Sequence, residues 1–552
     1  MKQALMGGSV LVLAAIAGGL TVTPAAAQDA ASLQRQIQQM QTQFQQQMQQ
    51  LREQLKKVQD AAARDRAAAE QTRQNEEVRK AADAQPATAV APPPPPASSQ
   101  LPQGSFKVGD VTVTLGGFAA AEGVYRSRNE AASIDTNFNG NIPLPNTANY
   151  HTPEYRETAQ QSRFSLLATA QPDTADTLTS YLETDFLSAG TSSNANQSSS
   201  YTLRLRQFFG AWDNADLGLH VEGGQGWSLA TMNRVGMLPR QENVPLTIDA
   251  QYAVGFDWAR QAEVRVVKDF NRTFWAGLAL EAPQTIFGSA AGPNCLTGAG
   301  AATGIGGGTL EYTQCGGPNV NTIQAYSDNI APDIIAKVAA DPGFGHYELY
   351  GLLRFLGGRV SEAGSGRNYQ TTGEGLGAGM ILPVLPKLLD FQVSGLVGQG
   401  VGRYGSAQLA DVTFAPSGKI EPLAEYSVMG GFVGHPIPSV DVYAYGGAEG
   451  VARKYYTSGA VNTGYGNPNV SLAGCEVELG SCSASTSGVV EGTVGAWWRL
   501  LKSGYGTVQV GAQYEYIDRN TFQGAGATKG SVVSPSANEN AILVSLRYYP
   551  FQ

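Results

Sequence analysis

The side chains with the most chemistry in this chain alternate with apolar ones. In Leu203-Arg204-Leu205-Arg206, two guanidiniums share one face of an extended segment and two leucines the other. The same alternation sets Arg163 against Phe164, Glu183 and Asp185 against Leu182 and Phe186, and Arg265 against Val264 and Val266. Glu122 fits the same face. Charges of both signs on the inner faces of strands would set a field across a water-filled channel, orienting polar solutes and biasing ion passage. Hydrolysis would need a nucleophile beside a base. His220, two residues before Glu222, is the one histidine that alternation turns inward, and lumen polarity accounts for that pair. No catalytic residue is therefore assigned, and the chain is read as a non-enzyme. The histidines His151, His220, His346 and His435 are scattered, so neither a metal nor a cofactor is expected. Gly400-Val401-Gly402-Arg403-Tyr404-Gly405 matches a nucleotide-binding glycine pattern literally. It closes a strand and opens a loop, with no helix to present amides to a pyrophosphate.

Composition narrows the classes further. Of 552 residues, 66 are glycine, only 15% are charged, and the formal net charge is −9. An acidic balance argues against sequence-independent nucleic-acid binding, which needs a basic surface. Abundant Tyr and Phe argue against disorder throughout. Together these features predict an all-β protein whose surface partly faces something other than water.

Residues 1–27 read as a secretory signal peptide: Lys2, an apolar stretch from Leu5 to Leu20, and Ala25-Ala26-Ala27 before the cut. Export to an oxidising compartment predicts disulfides, and the cysteines fall as the local pairs Cys295/Cys315 and Cys475/Cys482, although four cysteines allow three pairings. Within residues 28–84, Leu33, Ile37, Met40, Phe44, Met48, Leu51, Leu55 and Val58 form a helical stripe at coiled-coil spacing. A stripe this narrow implies self-association. Residues 85–104 form a proline-rich linker, with five consecutive prolines at 92–96. The coil and linker could also tether an outer membrane to the cell wall.

From residue 105 the period becomes two. Sixteen segments of about ten residues, from 111–125 to 541–549, alternate apolar and polar as transmembrane strands do. Short turns separate them on one side. On the other side lie eight long loops: 127–162, 189–201, 228–261, 283–332, 356–372, 402–422, 453–488 and 518–540. This asymmetry predicts a 16-stranded antiparallel transmembrane β-barrel over 105–552, with both termini in the periplasm and an N-terminal helical coil. A barrel of this size leaves an aqueous channel, whereas eight strands close on their own side chains. The expected lumen residues are Glu122, Arg163, Glu183, Asp185, Arg204, Arg206 and Arg265, with the basic side chains standing opposite the acidic ones. Trp212, Trp275, Trp497, Trp498, Tyr548 and Tyr549 are expected in the aromatic girdle. The third loop, with Arg234, Arg240 and Glu242, either folds inward as a constriction or stays outside as a plain loop.

Coil, linker and barrel resemble the DcaP-like trimeric porins of Gram-negative outer membranes. Leu203-Arg204-Leu205-Arg206-Gln207-Phe208-Phe209-Gly210 is similar to that family's LRLR-aromatic-glycine strand, and Gly223-Gly224-Gln225-Gly226-Trp227-Ser228 to its G-Q-x-W-S segment. The resemblance implies a homotrimer in outer-membrane lipid, a periplasmic coil, and passive uptake of small, preferentially anionic solutes past Arg204 and Arg206. Two features depart from it. Beyond residue 100 the chain carries 27 basic and 38 acidic side chains, against an anion preference, and its end, Tyr548-Tyr549-Pro550-Phe551-Gln552, is not a terminal Phe. Phosphate-selective porins share the barrel type, but the third loop lacks a lysine cluster. A closed barrel serving only as a tether is the remaining alternative.

Overall fold

The computed structural model describes residues 103–134, 138–187, 200–249, 251–288, 301–305, 308–315, 325–458 and 461–551. The expected signal peptide, coil and most of the linker lie outside the described residues, as does Cys295.

Sixteen antiparallel strands form the wall. They are β1 Val111–Arg126, β2 Arg163–Ala170, β3 Asp176–Asp185, β4 Arg204–Asn214, β5 Leu219–Trp227, β6 Arg260–Phe270, β7 Phe274–Glu281 and β8 Asp333–Ala340. The second half is β9 His346–Glu362, β10 Ser365–Leu385, β11 Leu389–Gln399, β12 Ala424–Ile437, β13 Val440–Val451, β14 Thr486–Ser503, β15 Gly506–Thr521 and β16 Ser536–Tyr549. Each pairs with its sequence neighbours, and β1 pairs with β16 from Ala119↔Tyr548 to Arg126↔Ala541, which closes the sheet. Closure leaves no unpaired edge, the condition for a sheet to cross lipid. All sixteen expected segments fall on these strands.

The expected long loops 127–162, 228–261, 402–422 and 518–540 connect strands as such where they are described, while most of 189–201 and much of 283–332 lie outside the described residues. Residues 356–372 are not a loop: β9 and β10 continue in register to Glu362↔Ser365 and turn over two residues. No Pro interrupts this stretch, so the ladder simply runs on above the wall.

Alternation decides which face meets lipid. On β6 and β7, Val264, Val266, Leu278 and Leu280 are 56%, 42%, 50% and 45% exposed, while Glu263, Arg265 and Ala279 are buried within the barrel. Val266 and Leu278 are cross-strand partners on the outer band. A charge at mid-depth on that band costs about 2–4 kcal/mol. Leu278→Arg should therefore lower the unfolding free energy of the bilayer-embedded barrel by about 2–4 kcal/mol in a denaturant titration, whereas Leu278→Val should change it by less than about 1 kcal/mol.

Candidate functional site

Arginines cluster on the inner face of β2, β4 and β6, and β3 lies between β2 and β4. Arg204 donates to Asp185 through Nε and Nη2, both at 2.8 Å. Arg206 reaches Glu183 at 2.6 Å and Asp185 at 2.8 Å, and Arg163 lies 3.5 Å from Glu183. The acidic residues therefore do not face the arginines across the lumen, as alternation alone suggested. They sit on the adjoining strand and pair with them. A β-bulge makes this possible. Glu183 opposes Gln207 and Thr184 opposes Leu205, so Arg206 is the extra residue on β4. Beyond it the alternation inverts: Phe208 is 54% exposed, and Phe209 is buried inside against Tyr181. Gly224 of β5 faces the bulge with φ +140°, and a Cβ there would meet the Phe208 carbonyl.

The remaining expected lumen residues also face inward and are paired. Arg265 bonds Glu222 and lies 3.4 Å from Glu263. Glu122 accepts from Arg547 at 2.6 Å. Sequence reasoning missed Arg547, and also missed Lys337 and Arg354. Lys337 lies 2.8 Å from Glu348, and Arg354 lies 3.2 Å from Asp333 and 2.8 Å from Asp411. These lone cations sit in apolar surroundings, and only their register marks them. Three histidines meet carboxylates at the turns: His220 lies 2.7 Å from Asp213 and 3.1 Å from Asp269, not on Glu222, and His346 sits between Asp341 at 2.7 Å and Glu348 at 3.0 Å. His435 pairs with Asp441 at 2.7 Å.

Loop 228–259 crosses the lumen. Its backbone N–H groups are taken up by the wall as it passes: Leu229 by Glu281 at 2.8 Å, Asn233 by Glu348 at 3.0 Å, and Gly236 by Asp341 at 3.0 Å. Further along, Ile248 is held by Gln513 at 2.6 Å, Val254 by Glu491 at 2.7 Å, and Gly255 by Glu449 at 2.7 Å. Met237, Ile248, Val254 and Phe256 are buried. Trp275 and Trp497, expected in the outer girdle, instead point inward; Trp497 Nε1 donates to Leu246 O at 2.7 Å, and Trp275 Nε1 to Asp341 at 2.8 Å. Trp498 and Tyr548 do face outward.

A second loop enters as well, which the sequence did not suggest. Residues 400–423 bury Tyr404, Ala407 and Leu409. Glu425 accepts from Val401 and Gly402 at 2.6 and 2.8 Å. Glu449 holds Ala407 at 3.0 Å as well as Gly255, so one carboxylate ties the two loops together.

The third loop borders two cavities. The inner one, about 880 Å³, lies towards the short turns and is lined by Arg163, Arg234, Arg240, Arg499, Lys502 and Arg547. Its two carboxylates are Glu183 and Asp441, and both are paired, Asp441 with Arg499 at 2.5 Å. Arg234 and Arg240 are exposed, and Arg240 stacks over Tyr181 at 4.9 Å. The outer cavity, about 390 Å³, lies among the long loops and is lined by Trp258, Arg260, Ile286, Arg403 and neighbouring residues. Cys475 and Cys482 are disulfide-bonded in loop 452–485. Cys315 stands on a short strand, and its expected partner Cys295 is outside the described residues. Among the described residues no cluster of ligating side chains could hold a metal.

Glu242 closes the base of the third-loop hairpin, opposite Asn233, and is buried. Burial pushes its carboxyl up from 4.5 to about 7, against the lowering charge of Arg265. The folded protein thus holds a proton that the unfolded chain releases. Stability from that proton is complete below about pH 4.5 and is lost as pH rises towards about 7. The unfolding midpoint of the native protein should therefore fall between pH 5 and pH 8 by more than that of Glu242→Gln. Equal pH dependence of the two would contradict the assignment.

No family model matches this chain, and no curated relative does. Among solved structures, the outer-membrane channel DcaP of Acinetobacter baumannii is similar, with TM-score 0.54 and 16% identity, covering 81% of this chain and 100% of that one. An anion-selective porin from Comamonas acidovorans follows at TM-score 0.40 and 13% identity, covering 80% and 99%. OmpT of Vibrio cholerae, an outer-membrane protein, gives 0.39 and 9%, covering 81% and 99%. The chain shares the barrel architecture of the DcaP channel.

Proposed function

We propose that the chain is an outer-membrane porin that passes small polar solutes by diffusion, with a preference for anions. The observation that carries this reading is the inner cavity. Six cationic side chains line it, and its two carboxylates are already neutralised by arginines. Potential in a narrow, low-dielectric passage is set by the nearest unpaired charges rather than by the total. The acidic excess of the barrel region therefore does not decide selectivity. Arg163 lines the wall side of the cavity, and behind it Arg204 and Arg206 complete a group of three arginines around two carboxylates, a net positive wall. Arg234 and Arg240, on the loop hairpin facing it, supply the adjustable side of the constriction.

The DcaP-like resemblance supports a homotrimer with the N-terminal coil in the periplasm, and the coil with its proline-rich linker supports contact with the cell wall as a further role. A closed barrel serving only as a tether is less well supported, because cavities lie on both sides of the third loop. Phosphate selectivity would call for clustered lysines, and among the described residues Lys502 is the only lysine lining the inner cavity.

The purified protein in a planar bilayer should open in three steps, with a reversal potential of anion-selective sign across a tenfold KCl gradient. The double variant Arg234→Gln, Arg240→Gln should lower the anion-to-cation permeability ratio several-fold while preserving the three-step openings. Cation selectivity of the native channel would contradict the reading, and absence of conductance would favour the tether.

A further inference from the structure

The arginines of the inner wall are not equivalent. Arg204 and Arg206 are both engaged by carboxylates, and so is Arg163. Arg403 lies 3.5 Å from Asp333, donates to the Gln284 carbonyl at 3.1 Å and also bonds Gln261. Arg260, the first residue of β6, is different. Among the described residues it has no carboxylate within ion-pair distance, and its Nη1 is buried without a hydrogen-bond partner. Its guanidinium carbon instead lies 5.0 Å from the ring centre of Trp227 and 5.3 Å from that of Trp258. Aromatic contact orients a guanidinium without neutralising it.

Trp258 is itself fixed. Its backbone N–H donates to Tyr404 O at 2.7 Å and its Nε1 to Ser406 Oγ at 3.1 Å, so both intruding loops hold the ring in place. Arg260 and Trp258 line the outer cavity of about 390 Å³ together with Ile286, Arg403 and Gln408, and among the described residues no carboxylate lines it. A half-buried guanidinium with no direct carboxylate partner, a rigid indole and an aliphatic side chain around one space make a two-part receptor. A fork of N–H donors matches the two oxygens of a carboxylate. Trp258 and Ile286 offer apolar surface to whatever chain the carboxylate carries.

We propose that this outer cavity is a docking station for a small organic carboxylate: its oxygens meet Arg260, and its hydrocarbon part lies against Trp258 and Ile286. The station stands on the long-loop side of the constriction and loads the solute before the inner arginines receive it. The inference deepens the anion-channel reading and rests on it for its role in transport, but the site itself can be measured without conductance.

The test is a titration of tryptophan fluorescence in the detergent-solubilised full chain, with butyrate as the probe and butylammonium as the charge-reversed control. The native protein should give a saturable change with butyrate and none with butylammonium. Arg260→Gln should raise the half-saturation concentration at least tenfold. Arg260→Lys, which retains the charge but loses the fork, should fall between. Heat-modifiable migration on a gel checks that each variant is folded. An unchanged half-saturation in folded Arg260→Gln overturns the proposal. So does inorganic phosphate displacing butyrate as well as valerate does, because the apolar surface would then contribute nothing. If the native channel proves cation-selective while the butyrate titration still depends on Arg260, the functional reading fails and the site stands. If it is anion-selective and the titration does not depend on Arg260, the site fails alone.

Discussion

A long loop inside a barrel brings its own backbone into a space where many of its N–H groups lose water. Each must find an acceptor, because an unpaired buried amide costs about as much as a lost hydrogen bond. Here the acceptors are wall carboxylates. On five consecutive strands, β12 to β16, one glutamate per strand points inward and is buried: Glu425, Glu449, Glu491, Glu515 and Glu539. Three of them hold loop amides directly, at Val401 and Gly402, at Gly255 and Ala407, and at Val254. Gly255 shows how tight the seat is. Its φ is +85°, and an added Cβ would meet the Val428 carbonyl of β12. Glu449 and Glu491 of this row thus seat the third loop at Val254 and Gly255.

The same row accounts for the charge pattern of the lumen. On the far wall, Glu425, Glu449 and Glu491 are occupied with backbone N–H donors of the loops. On the near wall, Arg163, Arg204 and Arg206 surround Glu183 and Asp185, three cations to two anions. Arg234 and Arg240 then project from the loop that the glutamates and Asp341 hold in place. A region with more acidic than basic side chains thus presents a basic surface to its inner cavity. Counting charges along the chain points to the wrong sign, because it weights a glutamate bonded to amides the same as a free one.

The wall was legible in the sequence and the lumen was not. Alternation is enforced by lipid, where a misplaced charge costs several kcal/mol, so Leu205 out and Arg206 in could be read residue by residue. Pairing depends on register, and register here turns on a single bulge at Arg206 that no periodicity announces. The inversion of Phe208 and Phe209 beyond it is invisible for the same reason. The intruding loops carry no period at all. Met237, Ile248 and Phe256 in one, and Tyr404 and Leu409 in the other, are isolated apolar residues in polar surroundings. A Pro, Gly and Asn-rich segment looks the same whether it is solvated or seated against a wall. Long sequence separation hides the seat: Ile248 meets Gln513, and Val254 meets Glu491. The tryptophans misled in a similar way. Trp275 and Trp497 stand near strand ends, but their N–H groups find partners inside.

Wall carboxylates hold the third loop in the lumen, and amide hydrogen exchange on the reconstituted protein reads that hold peptide by peptide. Peptides covering residues 229–236 and 246–256 should exchange as slowly as the strands, and Glu449→Leu with Glu491→Leu, which removes the acceptors, should speed exchange across 253–256 without affecting β6. Exchange of those peptides in the native protein at the rate of an open surface loop would contradict it.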